Sequence, residues 1–185
     1  MRPVDVPKVI AITGIQAAGK STVAQGLAER LERSAHVRGD TFRRMLVNGQ
    51  APVVPGGGPK MQEELTLRYK IAAMVADEYA SAGFTAVVQD VILGADLAAF
   101  ATYVRSRPFG IVVLRPSQEA VARREAERNK TAYKDGWTID GLDAELDENT
   151  AKLGLWLDTT NQTPSQTVDE ILARLPETLV SAPRT

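Results

Sequence analysis

Gly14-Ile15-Gln16-Ala17-Ala18-Gly19-Lys20-Ser21 matches the pattern G-x-x-x-x-G-K-[ST] at every fixed position. The stretch follows an apolar, β-branched run at 8–13, which predicts a buried strand. It precedes residues 21–31, where apolar residues recur at helical spacing. A glycine-rich turn between a strand and a helix directs backbone N–H groups and the positive end of the helix dipole at a phosphate. The sequence therefore predicts a loop that binds nucleotide phosphates.

Most positions of this loop have an expected role in binding a nucleotide and Mg²⁺. The Lys20 ammonium would reach the β- and γ-phosphates, and the Ser21 hydroxyl would ligate Mg²⁺. Lys20 is also expected to be catalytic, because it would stabilise the phosphoryl group during transfer. The predicted nucleotide-binding residues here are Gly14, Gln16, Ala17, Ala18, Gly19, Lys20, Ser21 and Thr22.

The composition excludes several other kinds of site. The 185 residues include no cysteine and one histidine, His36, so disulfides, thiol nucleophiles and Cys/His zinc sites are excluded. A Ser-His-Asp triad would have to use His36, which lies in a short predicted strand, where a lone histidine is usually structural. Proton transfer is therefore expected from carboxylates, and any metal would be a hard cation bound by oxygen atoms.

The length indicates one domain over residues 1–185. The net charge of −1 argues against nucleic acid as the main partner. No apolar stretch approaches the ~20 residues of a membrane span. The N-terminal residues 1–7 lack the apolar core of a signal peptide, so we expect a cytoplasmic protein without a membrane partner.

Predicted strands and helices alternate along the chain, which indicates an α/β fold with a parallel sheet covered on both faces. The predicted strands are 8–13, 35–38, 85–90, 111–114 and 155–158. The predicted helices are 21–31, 41–47, 61–81, 96–105, 118–129, 138–153 and 164–175. Segment 48–60 is rich in proline and glycine and is expected to be a mobile or disordered loop. The tail after Pro176 is expected to be frayed.

Carboxylates follow several of the predicted strands. Ligands of parallel sheets bind beyond the carboxyl ends of the strands, where the glycine loop, Asp40, Asp90 and Asp158 would meet. Asp40 would accept a proton from a substrate hydroxyl, cap the helix that begins there, or do both. Asp90 would bind Mg²⁺ or the substrate, or be a turn residue at a strand end.

With these features the chain resembles small P-loop kinases of the shikimate kinase, gluconate kinase and adenylylsulfate kinase group. The resemblance rests on the glycine loop, on Gly39-Asp40-Thr41-Phe42-Arg43-Arg44, and on the arginine-rich stretch after the fourth strand. Within the group it most resembles chloramphenicol phosphotransferase-like proteins, at 88–94, 124–128 and 157–160. Those enzymes often have two acids at the end of the third strand, where this chain has Gln89 before Asp90.

The resemblance implies a three-layer P-loop NTPase fold with sheet order 2-3-1-4-5 and a helical lid at about 124–137. It also implies transfer of the γ-phosphate of Mg-ATP to a hydroxyl of a small molecule, such as an antibiotic or a sugar-like compound, with Asp40 as the base. Arg124 would pack on the adenine, Thr160 would lie in the loop beside it, and Arg128 would be catalytic at the phosphates. The implied acceptor-binding residues are Asp40, Arg43, Arg44, Arg68 and Asp90.

Other functions of the same phosphate loop remain open. One is a non-catalytic ATP-binding regulatory module, and another is a nucleotide-sugar kinase of the zeta-toxin type. A polynucleotide 5′ end is a further acceptor, which the near-neutral charge disfavours. A GTPase is disfavoured, because Asn129-Lys130-Thr131-Ala132 departs from N-K-x-D and no D-x-x-G occurs.

Overall fold

Five parallel strands form one sheet in the order β2-β3-β1-β4-β5 in a computed structural model that describes residues 6–127, 133 and 135–181. The strands are β1 Val9–Thr13, β2 Ser34–Arg38, β3 Thr85–Gln89, β4 Phe109–Leu114 and β5 Leu155–Leu157. The expected strand order is confirmed. All residues of the central strands β1 and β4 are buried, as their continuous apolar sequences require.

Helices cover both faces of this sheet. They are α1 Lys20–Arg30, α2 Asp40–Arg44, α3 Pro59–Ser81, α4 Ala95–Tyr103, α5 Gln118–Ala126, α6 Ile139–Ala144, α7 Pro164–Ala173 and α8 Leu175–Thr178. Both α1 and α3 pack on β1, β2 and β3, while α7 packs on α1 and α4 packs on α3. Among the residues that the structure describes, no helix is long and apolar enough to cross a bilayer.

Several helix ends follow local sequence signals. Ser117 caps α5 by accepting a hydrogen bond from Ala120 N–H, and Thr163 forms a capping box with Gln166 at the start of α7. Both N-cap residues are of types whose side-chain hydroxyl commonly caps helices.

Several predicted boundaries were wrong. Helix α5 ends at Ala126 instead of 129. Helix α2 ends at Arg44 instead of 47, because the chain turns there and Gln50 Nε2 donates to the carbonyls of Arg43 and Leu46. The helix after α6 continues only through the π-helical turn Glu145–Asn149, because the buried Thr150 hydroxyl accepts from Gly94 N–H at 2.7 Å and pulls the chain toward the sheet.

The C-terminal tail was also predicted wrongly, because residues 175–178 are helical and 179–180 contact β4. Helix α8 tolerates a proline in its first turn, where the missing N–H has no helical partner. Beyond α8, Leu179 pairs with Gly110 of β4 and Val180 N–H donates to Phe109 O at 2.9 Å. The tail therefore adds a short antiparallel contact beside β4.

His36 lies in the middle of β2, outside the cleft described below. The Gln25 amide oxygen accepts a hydrogen bond from His36 Nδ1 at 2.9 Å. The other ring nitrogen, Nε2, is buried and has no hydrogen-bond partner in the described part of the chain. Protonation would place a charge and an N–H there without an acceptor. Burial therefore lowers the pKa of His36, and the charge of Arg38 lowers it further.

We expect His36 to make the protein less stable in mild acid. The unfolded chain binds the proton at a pKa near 6.5, above the folded value, so the free energy of unfolding should fall as the pH drops below about 6.5. The loss should be complete once the pH has passed below the folded pKa. Urea unfolding between pH 7.5 and 5 measures it, and His36→Gln should remove this part of the slope. Equal slopes in the two proteins would contradict the prediction.

Candidate nucleotide and acceptor site

A cleft of about 640 Å³ lies at the carboxyl ends of the strands. It brings together most of the predicted site residues from five separate parts of the sequence. Its lining comprises residues 16–23, Asp40, Arg68, Gln89, Asp90, Val91, Arg124, Thr159, Gln162, Pro164 and Thr167. Gly14, Arg43, Arg44 and Thr160 lie outside this lining. Arg128 lies outside the described residues, so its catalytic role stays a prediction.

The glycine loop turns sharply between β1 and α1. Gly14 has a φ of +144°, and a Cβ there would lie 2.5 Å from Leu114 O of β4, so only glycine fits this close approach. Gly19 has a φ of +96° and directly precedes α1. The first hydrogen bond into α1 runs from Val23 N–H to Gly19 O, so the earlier N–H groups of this turn have no acceptor within the helix. The loop therefore offers amide donors to an anion.

Lys20 begins α1 and is largely buried in the cleft. Its ammonium donates to Ile15 O at 2.7 Å, which folds the side chain back over the glycine loop. The Lys20 ammonium therefore lies beside the backbone of the glycine loop.

Arg124 connects the glycine loop to the end of β5. One guanidinium nitrogen, Nη2, donates to Thr159 O at 2.6 Å, and Nη1 donates to Ala18 O at 3.4 Å. The Thr159 hydroxyl is buried without a hydrogen-bond partner in the described chain, although it lines the cleft. These groups form the nucleotide end of the cleft together with the glycine loop and Gln162.

The Thr160 hydroxyl, in contrast, is hydrogen-bonded to other groups of the protein. Its hydroxyl accepts from Ser117 N–H at 2.8 Å and donates to Asp158 Oδ1 at 2.5 Å. Hydrogen bonds from the Thr160 hydroxyl and backbone N–H lower the pKa of Asp158. Thr160 and Asp158 therefore shape the loop, and the neighbouring Thr159 faces the cleft.

Arg68 and Asp90 form a buried ion pair at the other end of the cleft. Arg68 Nε donates to Asp90 Oδ2 at 2.6 Å, and Nη2 contacts Asp90 Oδ1. Val91 N–H also donates to Asp90 Oδ1, at 2.7 Å. The Asp90 side chain is only 2% exposed, and a Cβ at Gly39 would overlap its carboxylate. A residue without a side chain is therefore needed at position 39, where the chain leaves β2 beside Asp90.

Asp40 is the exposed member of this end of the cleft. It is the first residue of α2, its Oδ2 lies 2.9 Å from Arg44 Nη2, and both side chains are at least half exposed. Gly39 holds the N-cap position and no side chain caps the helix, so the capping role considered for Asp40 is not observed. Burial lowers the pKa of the Arg68 guanidinium, and the nearby charge of Asp40 opposes that shift. Asp40, Arg68 and Asp90 therefore interact as one group.

Arg43 anchors part of segment 48–60, which was expected to be a mobile or disordered loop. Its Nη2 donates to Ala51 O at 2.5 Å, and the Glu64 carboxylate accepts from Ala51 N–H at 2.8 Å. Trp137, in the stretch that was expected to form a lid, donates from Nε1 to Val53 O at 3.1 Å, and Tyr133 donates to Gln16 O of the glycine loop at 2.7 Å. Tyr133 thus contacts the glycine loop, and Trp137 contacts segment 48–60.

A Mg²⁺ ion would be bound at the nucleotide end by a side chain and phosphate oxygens together, and not by protein ligands alone. Within the described ranges, no three His, Asp or Glu side chains are close enough to hold a metal ion. Ser21 is exposed and lines the cleft next to the phosphate loop, as a magnesium ligand shared with phosphate oxygens requires. Asp90 also lines the cleft, but Arg68 and Val91 N–H already occupy its oxygens.

Several solved structures share this fold at low sequence identity. A sugar kinase from Janibacter sp. HTCC2649 is 19% identical, with a TM-score of 0.69 and coverage of 91% of this chain and 94% of that one. The tunicamycin resistance protein of Deinococcus radiodurans is 18% identical, with a TM-score of 0.65 and coverage of 95% and 98%. The Mycobacterium tuberculosis APS kinase, solved with AMPPNP and APS, is 18% identical, with a TM-score of 0.62 and coverage of 92% and 98%. No curated protein matches the sequence.

The family is established by a separate comparison. A protein-family model described as an AAA domain matches residues 9–154, which include the glycine loop, Asp40, the Arg68–Asp90 pair and Arg124. That match covers most of the chain, and the strand order is that of the P-loop NTPase fold. The chain therefore belongs to the AAA domain family and has the fold of the small P-loop kinases that it resembles in sequence.

Proposed function

We propose that this protein is a kinase that transfers the γ-phosphate of Mg-ATP to a hydroxyl group of a small molecule. One observation carries the proposal: the phosphate loop shares a single cleft with Asp40, Arg68 and Asp90. A module that only binds ATP needs the loop, whereas this second group would serve an acceptor. Structural neighbours that include a sugar kinase and an APS kinase are consistent with this chemistry.

The nucleotide end would bind ATP through the amides of the glycine loop and the Lys20 ammonium. Arg124 would pack on the adenine while its bonds to Thr159 O and Ala18 O fix its position. Ser21 would hold Mg²⁺ together with the phosphate oxygens, since the oxygens of Asp90 are already bonded to Arg68 and Val91 N–H. When bound, Mg²⁺ neutralises charge on the β- and γ-phosphates.

At the other end, Asp40 would activate the acceptor. The acceptor hydroxyl oxygen forms a bond to the γ-phosphorus, its proton passes to the Asp40 carboxylate, and the bond from phosphorus to the β–γ bridging oxygen breaks to release ADP. Lys20, and Arg128 as predicted from the sequence, would stabilise the charge on the transferring group. The contacts of Tyr133 and Trp137 near the cleft support a lid that excludes water and so limits ATP hydrolysis.

Release of ADP in the presence of candidate acceptors tests this proposal. A panel of sugars, nucleosides, nucleotide sugars and hydroxylated antibiotics is compared with the background without acceptor, and ³¹P NMR identifies the phosphorylated product. We expect at least one small hydroxylated compound to raise ADP release well above background. Binding of Mg-ATP without stimulation by any compound would favour the regulatory module instead. A nucleotide sugar as the best acceptor would favour the zeta-toxin type of kinase.

A further inference from the structure

The charged side chains at the acceptor end of the cleft are paired. We define this end as Asp40, Arg68, Gln89, Asp90 and Val91. Both oxygens of Asp90 are held by the guanidinium of Arg68, and Asp40 pairs with Arg44. Among the described residues of this end, the only cation is therefore already paired with a carboxylate.

This pairing makes an anionic acceptor unfavourable. A carboxylate, sulfate or phosphate on the acceptor needs an available guanidinium or ammonium. If Arg68 turned to such a group, the Asp90 carboxylate would stay buried without its charge partner, which is costly. Arg43 and Arg44 offer no substitute within the cleft, because both lie outside its lining. The Arg43 guanidinium donates to Ala51 O and Gln50 Oε1, and Arg44 pairs with Asp40.

The side-chain amide of Gln89 is an uncharged polar group at this end that is available to a ligand. The residue is only 6% exposed, lines the cleft, and its side-chain amide makes no hydrogen bond to any residue that the structure describes. Its backbone is fixed, because β3 pairs with β1 and β2 on either side and Gly39 N–H donates to Gln89 O at 3.0 Å. The amide therefore presents both a donor and an acceptor to a ligand in the cleft.

An amide side chain suits an uncharged hydroxylated compound. It offers both a donor and an acceptor, and a hydroxyl group likewise donates and accepts. We propose that the acceptor is an electrically neutral molecule with several hydroxyl groups, and that Gln89 hydrogen-bonds one of them and determines this specificity. The inference rests on the proposed kinase function and adds the chemical class of its substrate.

The first test measures the charge preference without knowing the acceptor. Calorimetry with sulfate as the probe is done at saturating Mg-AMPPNP, so that the phosphate loop is already filled. Wild-type protein should bind sulfate at least 10-fold more weakly than Asp90→Asn, in which Arg68 loses its carboxylate. The double variant Asp90→Asn with Arg68→Met should lose that gain. Equal sulfate affinity in wild type and Asp90→Asn would overturn the inference.

The second test uses acceptor pairs of similar shape and different charge, namely glucose with gluconate and methyl shikimate with shikimate. Neutral members should give at least 10-fold higher kcat/KM for ADP release than their anionic partners. Gln89→Glu should lower kcat/KM for the neutral acceptor at least 10-fold, and Gln89→Leu likewise, with Mg-AMPPNP affinity unchanged within 2-fold. A preference for the anions, or a Gln89 effect on magnesium dependence alone, would overturn it. If Mg-AMPPNP binds and no compound of either class is phosphorylated, the proposed function falls, and the sulfate result still decides the charge preference.

Discussion

Replacing Lys20 with alanine should remove most of the affinity for Mg-ATP and all measurable phosphoryl transfer. The ammonium lies over the phosphate loop, where it would form a charge-assisted hydrogen bond to a phosphate in both the bound and the transition state. Removing one preorganised donor from a transition state typically costs 10²–10³-fold in rate. Because Lys20 also carries a full charge, we expect a loss in kcat of about 10³-fold or more.

The free energy of unfolding of Lys20→Ala shows whether Lys20 serves function or stability, because only a structural lysine would lower it strongly when replaced. Alanine would lose the hydrogen bond to Ile15 O, but it would also remove a cation from the N-terminus of α1. These effects oppose each other, so the free energy of unfolding should change by less than about 1 kcal/mol. Lys8→Ala, at the opposite end of β1, is the matched control and should keep both binding and transfer. Calorimetry that shows unchanged Mg-ATP binding in Lys20→Ala would contradict the prediction.

The nucleotide end of the cleft was predictable because its signals are local. Strand, glycine spacing and helix lie within one continuous stretch, and the left-handed conformation of Gly19 follows directly from that stretch. The strand order was available only through the resemblance, because no single segment of this chain specifies its neighbours in the sheet. Asp40 and Asp90 could be placed at the sheet edge by the general rule for parallel strands.

The acceptor end was only partly predictable, because its pairings connect distant parts of the chain. Arg68 was expected to bind the acceptor, but its bond to Asp90 depends on how α3 crosses the sheet. Arg43 was expected there too, and instead its guanidinium holds Ala51. The signal for Gln89 was present as a polar residue that ends an apolar strand, although the sequence could not show that its amide would be open to the cleft.

Asp40→Asn should leave the fold and Mg-ATP binding nearly intact and lower the rate of transfer by roughly 10²–10⁴-fold, the usual contribution of a general base. Asparagine has the size of aspartate but cannot take up the acceptor proton. The pair with Arg44 is solvent-exposed, so its loss should cost no more than about 1 kcal/mol of stability. Since no side chain caps α2, the substitution removes no cap.

Asp140→Asn is the matched control for this variant, since Asp140 is also an exposed aspartate in the first turn of a short helix. It should retain wild-type transfer. Acceptor-dependent ADP release, thermal unfolding and calorimetry with Mg-ATP together distinguish three roles of Asp40. Lost stability with retained transfer would make Asp40 a structural residue. Lost ATP affinity together with altered magnesium dependence would make it a metal ligand and leave the base role to Asp90. Lost transfer with stability and ATP affinity retained is the result expected of the base, because of the two exposed aspartates only Asp40 shares the cleft with the phosphate loop.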